Sequence, residues 1–473
     1  MQLVKLITLK RINSLHCLYL TIFLSVLTVP AVVSAQDNSP YSRFGIGDLV
    51  PHSSMTSRGM GGITAAYTDY LSINFNNPAS LFNFQTSPQP KGNKINSGRI
   101  IFDAGTSVES RNMNDNSNGK SFTASNALFS YAYIGAPLRK NWGLAFGLRP
   151  VSRISYKIFR NERLYDPLTG APIDSASTRF EGDGGSYLAN LSTGLTIYRN
   201  KKYDMEENLS IGGSFGYYFG KKDFSSKRSL INDTIEYFQG NYQTKTSYGN
   251  VYYDLGIQYR SVLNKKMLLT IGAYGKMQQK LNARQDRVRE TFYYDQTLGD
   301  IRLDSVSDVR DVKGTINMPG SLTAGFTLQK VATNPKEGGW LIGVDIHTQK
   351  WADYSIYGQK DSLRNQFDVR VGAQYNPAFG KSYFSKVAYR AGVFFGPDYI
   401  NVGAKLPVFG VTGGLALPIK NQNRLAPYQA SVLNLGFEFV RRGNASSIVK
   451  ENLFRISLGF ALSDFWFIKR KYD

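Results

Sequence analysis

The sequence predicts an all-β protein, a transmembrane antiparallel β-barrel of about fourteen strands with an N-terminal plug, or hatch, inside its lumen. Three features carry that expectation. The chain opens with an export signal, continues as runs in which apolar and polar residues alternate, and joins those runs by links that are long and short in turn.

Lys5, Lys10 and Arg11 precede an apolar run from Leu18 to Val33, which closes on the small residues Ser34 and Ala35. A basic start, an apolar middle and a small-residue end are what a signal peptidase reads, so residues 1–35 are expected to be a secretory signal peptide, cut after Ala35. The run is short for a membrane anchor and contains Pro30. Cys17, the single cysteine, stands before the run and not at its end, which argues against lipid attachment there. The mature chain is then expected to form no disulfide and to offer no thiolate for catalysis or metal binding.

Beyond residue 36 no stretch approaches the roughly 20 apolar residues of a membrane helix. Tyr (30), Phe (29) and Gly (45) are nevertheless abundant. Aromatics suit the two interfacial girdles of a membrane barrel, and glycine suits crowded, curved strands. The formal charge of +21 is scattered along the chain, which fits outer-membrane lipid headgroups or anionic solutes better than nucleic acid.

Alternation is clearest in Phe454-Arg455-Ile456-Ser457-Leu458-Gly459-Phe460-Ala461-Leu462, where bulky apolar residues share one face and Arg, Ser, Gly and Ala the other. Comparable runs lie near 98–110, 121–136, 141–159, 178–199, 207–222, 244–261, 266–285, 313–330, 338–350, 364–376, 384–396, 406–419, 430–441 and 451–463. Their number is even, as closed single-chain bacterial barrels require. Links at 160–177, 223–243, 286–312 and 351–363 are long and polar, whereas 137–140, 200–206, 262–265 and 331–337 are short. External loops and periplasmic turns of a Gram-negative outer-membrane barrel alternate in this way, and a soluble sandwich has no reason to do so. The barrel is therefore expected over 98–463, followed by an aromatic and basic periplasmic tail, 464–473.

Residues 36–97 are rich in Gly, Ser, Asn and Pro and too long for an ordinary linker. They read Ser57-Arg58-Gly59-Met60-Gly61-Gly62-Ile63, then Asp69, then Asn76-Asn77-Pro78-Ala79. Pro78 fixes its own backbone and biases Asn77 toward an extended shape, while Gly59, Gly61 and Gly62 permit close approach to a barrel wall. No strand-to-helix context makes these glycines a phosphate loop. Met318-Pro319, Ala324-Gly325-Phe326, Trp351-Ala352-Asp353-Tyr354 and Gly410-Val411-Thr412-Gly413-Gly414 follow downstream.

With these motifs the chain resembles the long-chain fatty-acid transporter (FadL/TodX-like) family of outer-membrane barrels. The resemblance implies fourteen strands around an N-terminal hatch, with Gly59, Gly61, Gly62, Asn77, Pro78 and Ala79 as the hatch motif. It also implies passive uptake of hydrophobic compounds such as long-chain fatty acids. Members that carry fatty acids hold the carboxylate near a basic residue, which makes Arg149, Arg390 and Arg455 lumen candidates. Asp345 and His347 share a lumen face and join them as possible ligand-binding positions. Members of the same family also act as partners of secretion machinery, so a non-transporting subunit of an outer-membrane secretion or assembly complex is the alternative.

Enzymatic function is not expected. His52 and His347 are the only histidines after the signal and no cysteine accompanies them, so neither a Ser-His hydrolase nor a zinc site is indicated. The acid pairs Glu181 with Asp183 and Glu206 with Glu207 read as solvated or lumen-lining charges, and the first lacks the ligand density of a calcium loop. No cofactor or metal is expected. The expected partners are outer-membrane lipids, a lipophilic small molecule, the outer-membrane insertion machinery during folding, and possible secretion or assembly proteins.

Overall fold

The computed structural model describes residues 39–466 apart from 90–93, 117–118, 233–234, 236, 296, 404–405 and 422–427. The expected signal peptide and residues 467–473 of the expected tail lie outside the described residues.

Fourteen strands form the wall, and each expected run finds its counterpart. They are β1 (Ile95–Asp115), β2 (Ser121–Arg139), β3 (Trp142–Tyr165), β4 (Pro172–Lys202), β5 (Met205–Ile231) and β6 (Gln239–Asn264). Next come β7 (Met267–Lys276 continued by Gln279–Asp295) and β8 (Gly299–Met318 continued by Ser321–Lys330), each with one two-residue break. The ring is completed by β9 (Gly339–Gln349), β10 (Gln366–Asn376), β11 (Ala388–Pro397), β12 (Pro407–Ile419), β13 (Ala430–Arg442) and β14 (Val449–Trp466). Neighbours pair antiparallel, and β14 closes on β1 from Val449 opposite Asp115 to Trp466 opposite Gly98.

The period of two decides which face is which. On β14, Phe454, Ile456, Leu458 and Phe460 are exposed on the outside, while Arg455, Ser457 and Ala461 are buried inside. Leu191, Leu195, Phe215, Leu255, Ile257, Phe326, Ile342 and Phe437 continue the outward apolar surface around the ring. Among the described residues nothing covers this belt, as suits strands that face lipid.

The wall has two unlike ends. At the lower end, where it begins and finishes, β2–β3, β4–β5 and β6–β7 are joined by two residues each, at 140–141, 203–204 and 265–266. At the upper end the strands overrun. β4 has 31 residues and β5 has 27, against the roughly 9–11 that a tilted membrane strand needs. The polar links expected at 160–177, 223–243 and 286–312 are accordingly mostly strand, which continues to Tyr165, Ile231 and Asp295 and resumes at Pro172, Gln239 and Gly299. Above the apolar belt both faces of a strand meet water, so the sequence there has no apolar face to betray it. Similarly, β14 runs on through Asp464 to Trp466.

Residues 39–89 are irregular, with 3-10 turns at Pro40–Arg43 and Pro78–Asn83 and one helical turn, α1 (Met55–Arg58). The segment starts at the upper end, where the Tyr41 hydroxyl donates to the Val449 carbonyl. It finishes at the lower end, where Thr86–Pro88 pairs with the start of β1. Between those points it touches the inward faces of strands all around the ring, so it lies inside the lumen.

Candidate functional site: a lumen filled by the N-terminal segment

The lumen face of the wall carries a belt of glycines at which the N-terminal main chain touches the strands directly. A Cβ at Gly194 on β4 or Gly212 on β5 overlaps the Pro78 peptide, one at Gly256 on β6 overlaps the Asn77 amide, and one at Gly272 on β7 overlaps the Ala65 carbonyl. On the opposite side, Gly372 on β10 and Gly392 on β11 leave room for the Met60–Gly61 peptide. Gly61 itself sits at φ +66°, where an L side chain is strained, and its amide donates to Thr412 Oγ1 at 2.8 Å. Gly59 meets Gly414 on β12, and Gly62, at φ +84°, is adjacent to Arg370.

Hydrogen bonds then hold what the glycines admit. Asn77 is fully buried and caps the 3-10 turn, accepting from the Ala79 amide at 3.1 Å and donating to the Ala65 carbonyl at 2.6 Å. Asn74 donates to the carbonyls of Thr64 (2.7 Å) and Tyr67 (2.9 Å). Asp345 on β9 accepts from the amides of Thr64 at 2.6 Å and Ala65 at 2.8 Å. Below, Phe75 stacks on Tyr133 at 4.4 Å and packs with Ile73, Leu81, Phe84 and Tyr131 in an apolar cluster.

Above, the lumen is ionic. Asp48 of the N-terminal segment pairs with Arg111 on β1 (2.6 Å) and Arg442 on β13 (3.0 Å). Arg111 also pairs with Glu451 (2.8 Å), Arg442 with Asp398 (2.7 Å), and Arg455 with Glu109 (2.8 Å) and Glu438. Asp48 is partly exposed but its partners are buried, and a buried ion pair that loses one partner typically costs about 3–5 kcal/mol. Burial opposes ionisation of Asp48, but the two guanidinium groups outweigh it and hold its carboxyl below the usual range. Over this layer, Tyr41, Ile46, Trp351, Tyr354, Tyr399, Ile400 and Leu406 close the upper mouth as one apolar cluster.

A cavity of about 310 Å³ remains between the ionic layer and the apolar lid, lined by Asp48, His52, Arg58, Arg149, Lys276, Asp368 and Arg370 among others. Its walls mix these charges with apolar side chains, among them Leu49, Val151, Phe394 and Leu453. At one place the wall itself parts. The ladder between β2 and β3 stops at Ala132 opposite Leu148, and above it Asp48 and Leu49 pair with Arg153 and Ser152 of β3 in place of β2.

The sequence-singled residues distribute as follows. Arg149 reaches the His52 carbonyl at 3.3 Å and lies over the Phe75 ring. His347 Nδ1 is hydrogen-bonded with Thr323 Oγ1 at 2.8 Å, and its ring lies 6.1 Å from that of His52. Asp345 faces the N-terminal segment, so it and His347 make separate contacts. Arg390 donates to Gln374 and Asn434, each at 2.8 Å, and Arg455 is consumed by Glu109 and Glu438. Asp183 pairs with Lys221 at 2.7 Å on the outer surface, and Glu207 accepts from the Val262 amide at 3.2 Å. Among the described residues no group of three metal-ligating side chains converges. Sequence reasoning missed Asp48, Glu109, Arg111, Glu438, Arg442 and Glu451. The signal available was a charged residue on the inward parity of an otherwise membrane-like strand.

One family model spans residues 17–473, nearly the whole chain, and its description is BamG. The chain belongs to the BamG family. No curated protein matches it. Among solved structures, a FadL homologue from Pseudomonas aeruginosa is similar at TM-score 0.51 and 10% identity, over 89% of this chain and 100% of that one. The monoaromatic hydrocarbon channel CymD gives 0.46 at 14% identity over 88% and 98%, and the Pseudomonas putida toluene transporter TodX 0.45 at 14% over 88% and 99%. The first of these establishes a FadL-like outer-membrane barrel fold for this BamG-family chain. The resemblance read from the motifs thus holds for the fold, while the family is BamG.

Proposed function

We propose that the chain is a non-transporting structural subunit of an outer-membrane secretion or assembly complex. The observation that carries this is the glycine belt, at which the N-terminal main chain and the wall meet with no space for a side chain, still less a solute. The ionic layer and apolar lid support it, since a hydrophobic cargo crossing them would meet buried charge. The overrunning strands β3 to β8 supply broad water-facing surface beyond the apolar belt, as a protein with neighbours needs. Purified protein in a planar bilayer is expected to show no steady conductance, and proteoliposomes no protein-dependent uptake of a fluorescent fatty acid. Saturable uptake would refute this reading.

A second reading is passive passage of hydrophobic compounds, and one observation favours it. The parting of β2 from β3, filled by Asp48 and Leu49, is a place where movement of the N-terminal segment would open the lumen sideways. Such uptake would depend on Leu49 and Asp48, and not on the lower contacts of Pro78.

A further inference from the structure

We infer that the N-terminal segment is an internal template that closes the barrel, by holding β14 against β1 before the ring seals. The first and last strands of a barrel are farthest apart in sequence, so their pairing has the greatest loop-closure cost and forms last. In this chain the segment from Ser39 to Met55, whose main chain also pairs with β3, touches that seam at three heights. At the top, Ser39 hydrogen-bonds Glu451 of β14 and Tyr41 bonds the main chain of Val449. In the middle, Asp48 bonds Arg111 of β1, which in turn bonds Glu451 of β14, and reaches Arg442 of the neighbouring β13.

Lower still, Met55 sits between Gly105 of β1 and Gly459 of β14, which are direct partners across the seam. A Cβ at either glycine would approach Met55 to 2.7 Å, so the side chain occupies a slot that both strands must form together. The three contacts sit at three heights of one strand pair. Their covering lid includes Trp351, Tyr354 and Tyr399, and the belt below is closed by backbone contact, so the segment has no route into a finished ring. It must be in place while the seam is still open.

The test is made on the full chain expressed in cells with an outer membrane. Ser107→Cys with Ser457→Cys reports the seam, because these residues are directly opposite on β1 and β14. Ser192→Cys with Ser214→Cys, opposite on β4 and β5, reports a strand pair away from it. Each disulfide yield is measured in the background of Asp48→Asn with Met55→Ala, and separately of Leu81→Ala, which loosens the segment at its lower, seam-remote end. The template predicts that the first background lowers the seam yield at least about fivefold, the factor attached to roughly one kilocalorie per mole, and spares the β4–β5 yield. Leu81→Ala should leave the seam yield unchanged. Equal loss at both strand pairs would show a general stabiliser, and no loss at either would show a passive plug. Each of those results overturns the inference.

Discussion

Asp345, on the lumen face of β9, accepts hydrogen bonds from two successive main-chain amides of the N-terminal segment, Thr64 and Ala65. One wall carboxylate therefore fastens the segment by its backbone, with the Thr64 hydroxyl adding a longer bond of 3.4 Å to the same oxygen. Asp345→Ala leaves two buried N–H groups unmet, each costing about 1–3 kcal/mol. The segment of the folded variant is expected to become susceptible to trypsin at Arg58, a residue that is 2% exposed in the intact protein. Asp345→Asn keeps one acceptor oxygen and should lie between the two. Equal protection of all three proteins would show that Asp345 does not hold the segment.

The glycine belt gives a second prediction. Gly212→Leu places a side chain where the Pro78 peptide lies, and main chain cannot give way as a flexible side chain can. The N-terminal segment should be expelled while the wall still pairs, yielding a barrel with steady ionic conductance. Gly413→Leu is the control, because a Cβ at Gly413 meets nothing closer than 3.9 Å. It should remain closed. A non-conducting, fully folded Gly212→Leu protein would contradict the close fit.

A third prediction concerns acid. Burial, then the nearby Arg370 and Arg149 guanidinium groups, hold the His52 imidazole well below its ordinary value. His52 is therefore neutral in the docked segment at pH 7, whereas the unfolded residue titrates near pH 6.5. The released state binds the extra proton, so docking weakens as pH falls below about 6.5 and levels off only beneath the depressed value. Trypsin cleavage of the segment, followed from pH 8 to pH 5, should accelerate toward the acid end. His52→Gln should reduce that slope. Asp48 does not confuse the result, because its carboxyl stays ionised throughout this range.

Much of the wall was legible in the sequence. Alternation in runs such as 451–463 and 338–350 reflects a one-sided demand, lipid outside and a packed lumen inside, and the same demand produced the strands. It fails above the apolar belt, where Arg160–Tyr165 and Ser226–Ile231 are strand with water on both sides. The local backbone tasks of Gly61 and Asn77 in the N-terminal segment were also legible. The wall glycines that receive it were not, because a glycine in a strand looks the same whether it faces a peptide or open space. Nor was the fate of Arg390 and Arg455. A lone arginine on an inward face does not announce its partners, and only the fold brings neutral Gln374 and Asn434 to Arg390, and Glu109 and Glu438 to Arg455.

The measurement that tests the proposed function most directly is the native mass of the protein extracted gently from its own outer membrane, with bound lipids and co-migrating proteins identified. A structural subunit should travel at fixed stoichiometry with other outer-membrane proteins and carry no lipophile in its lumen. A lone barrel loaded with a fatty acid or aromatic hydrocarbon, and emptied by Asp48→Asn, would contradict the subunit reading and make this chain a channel.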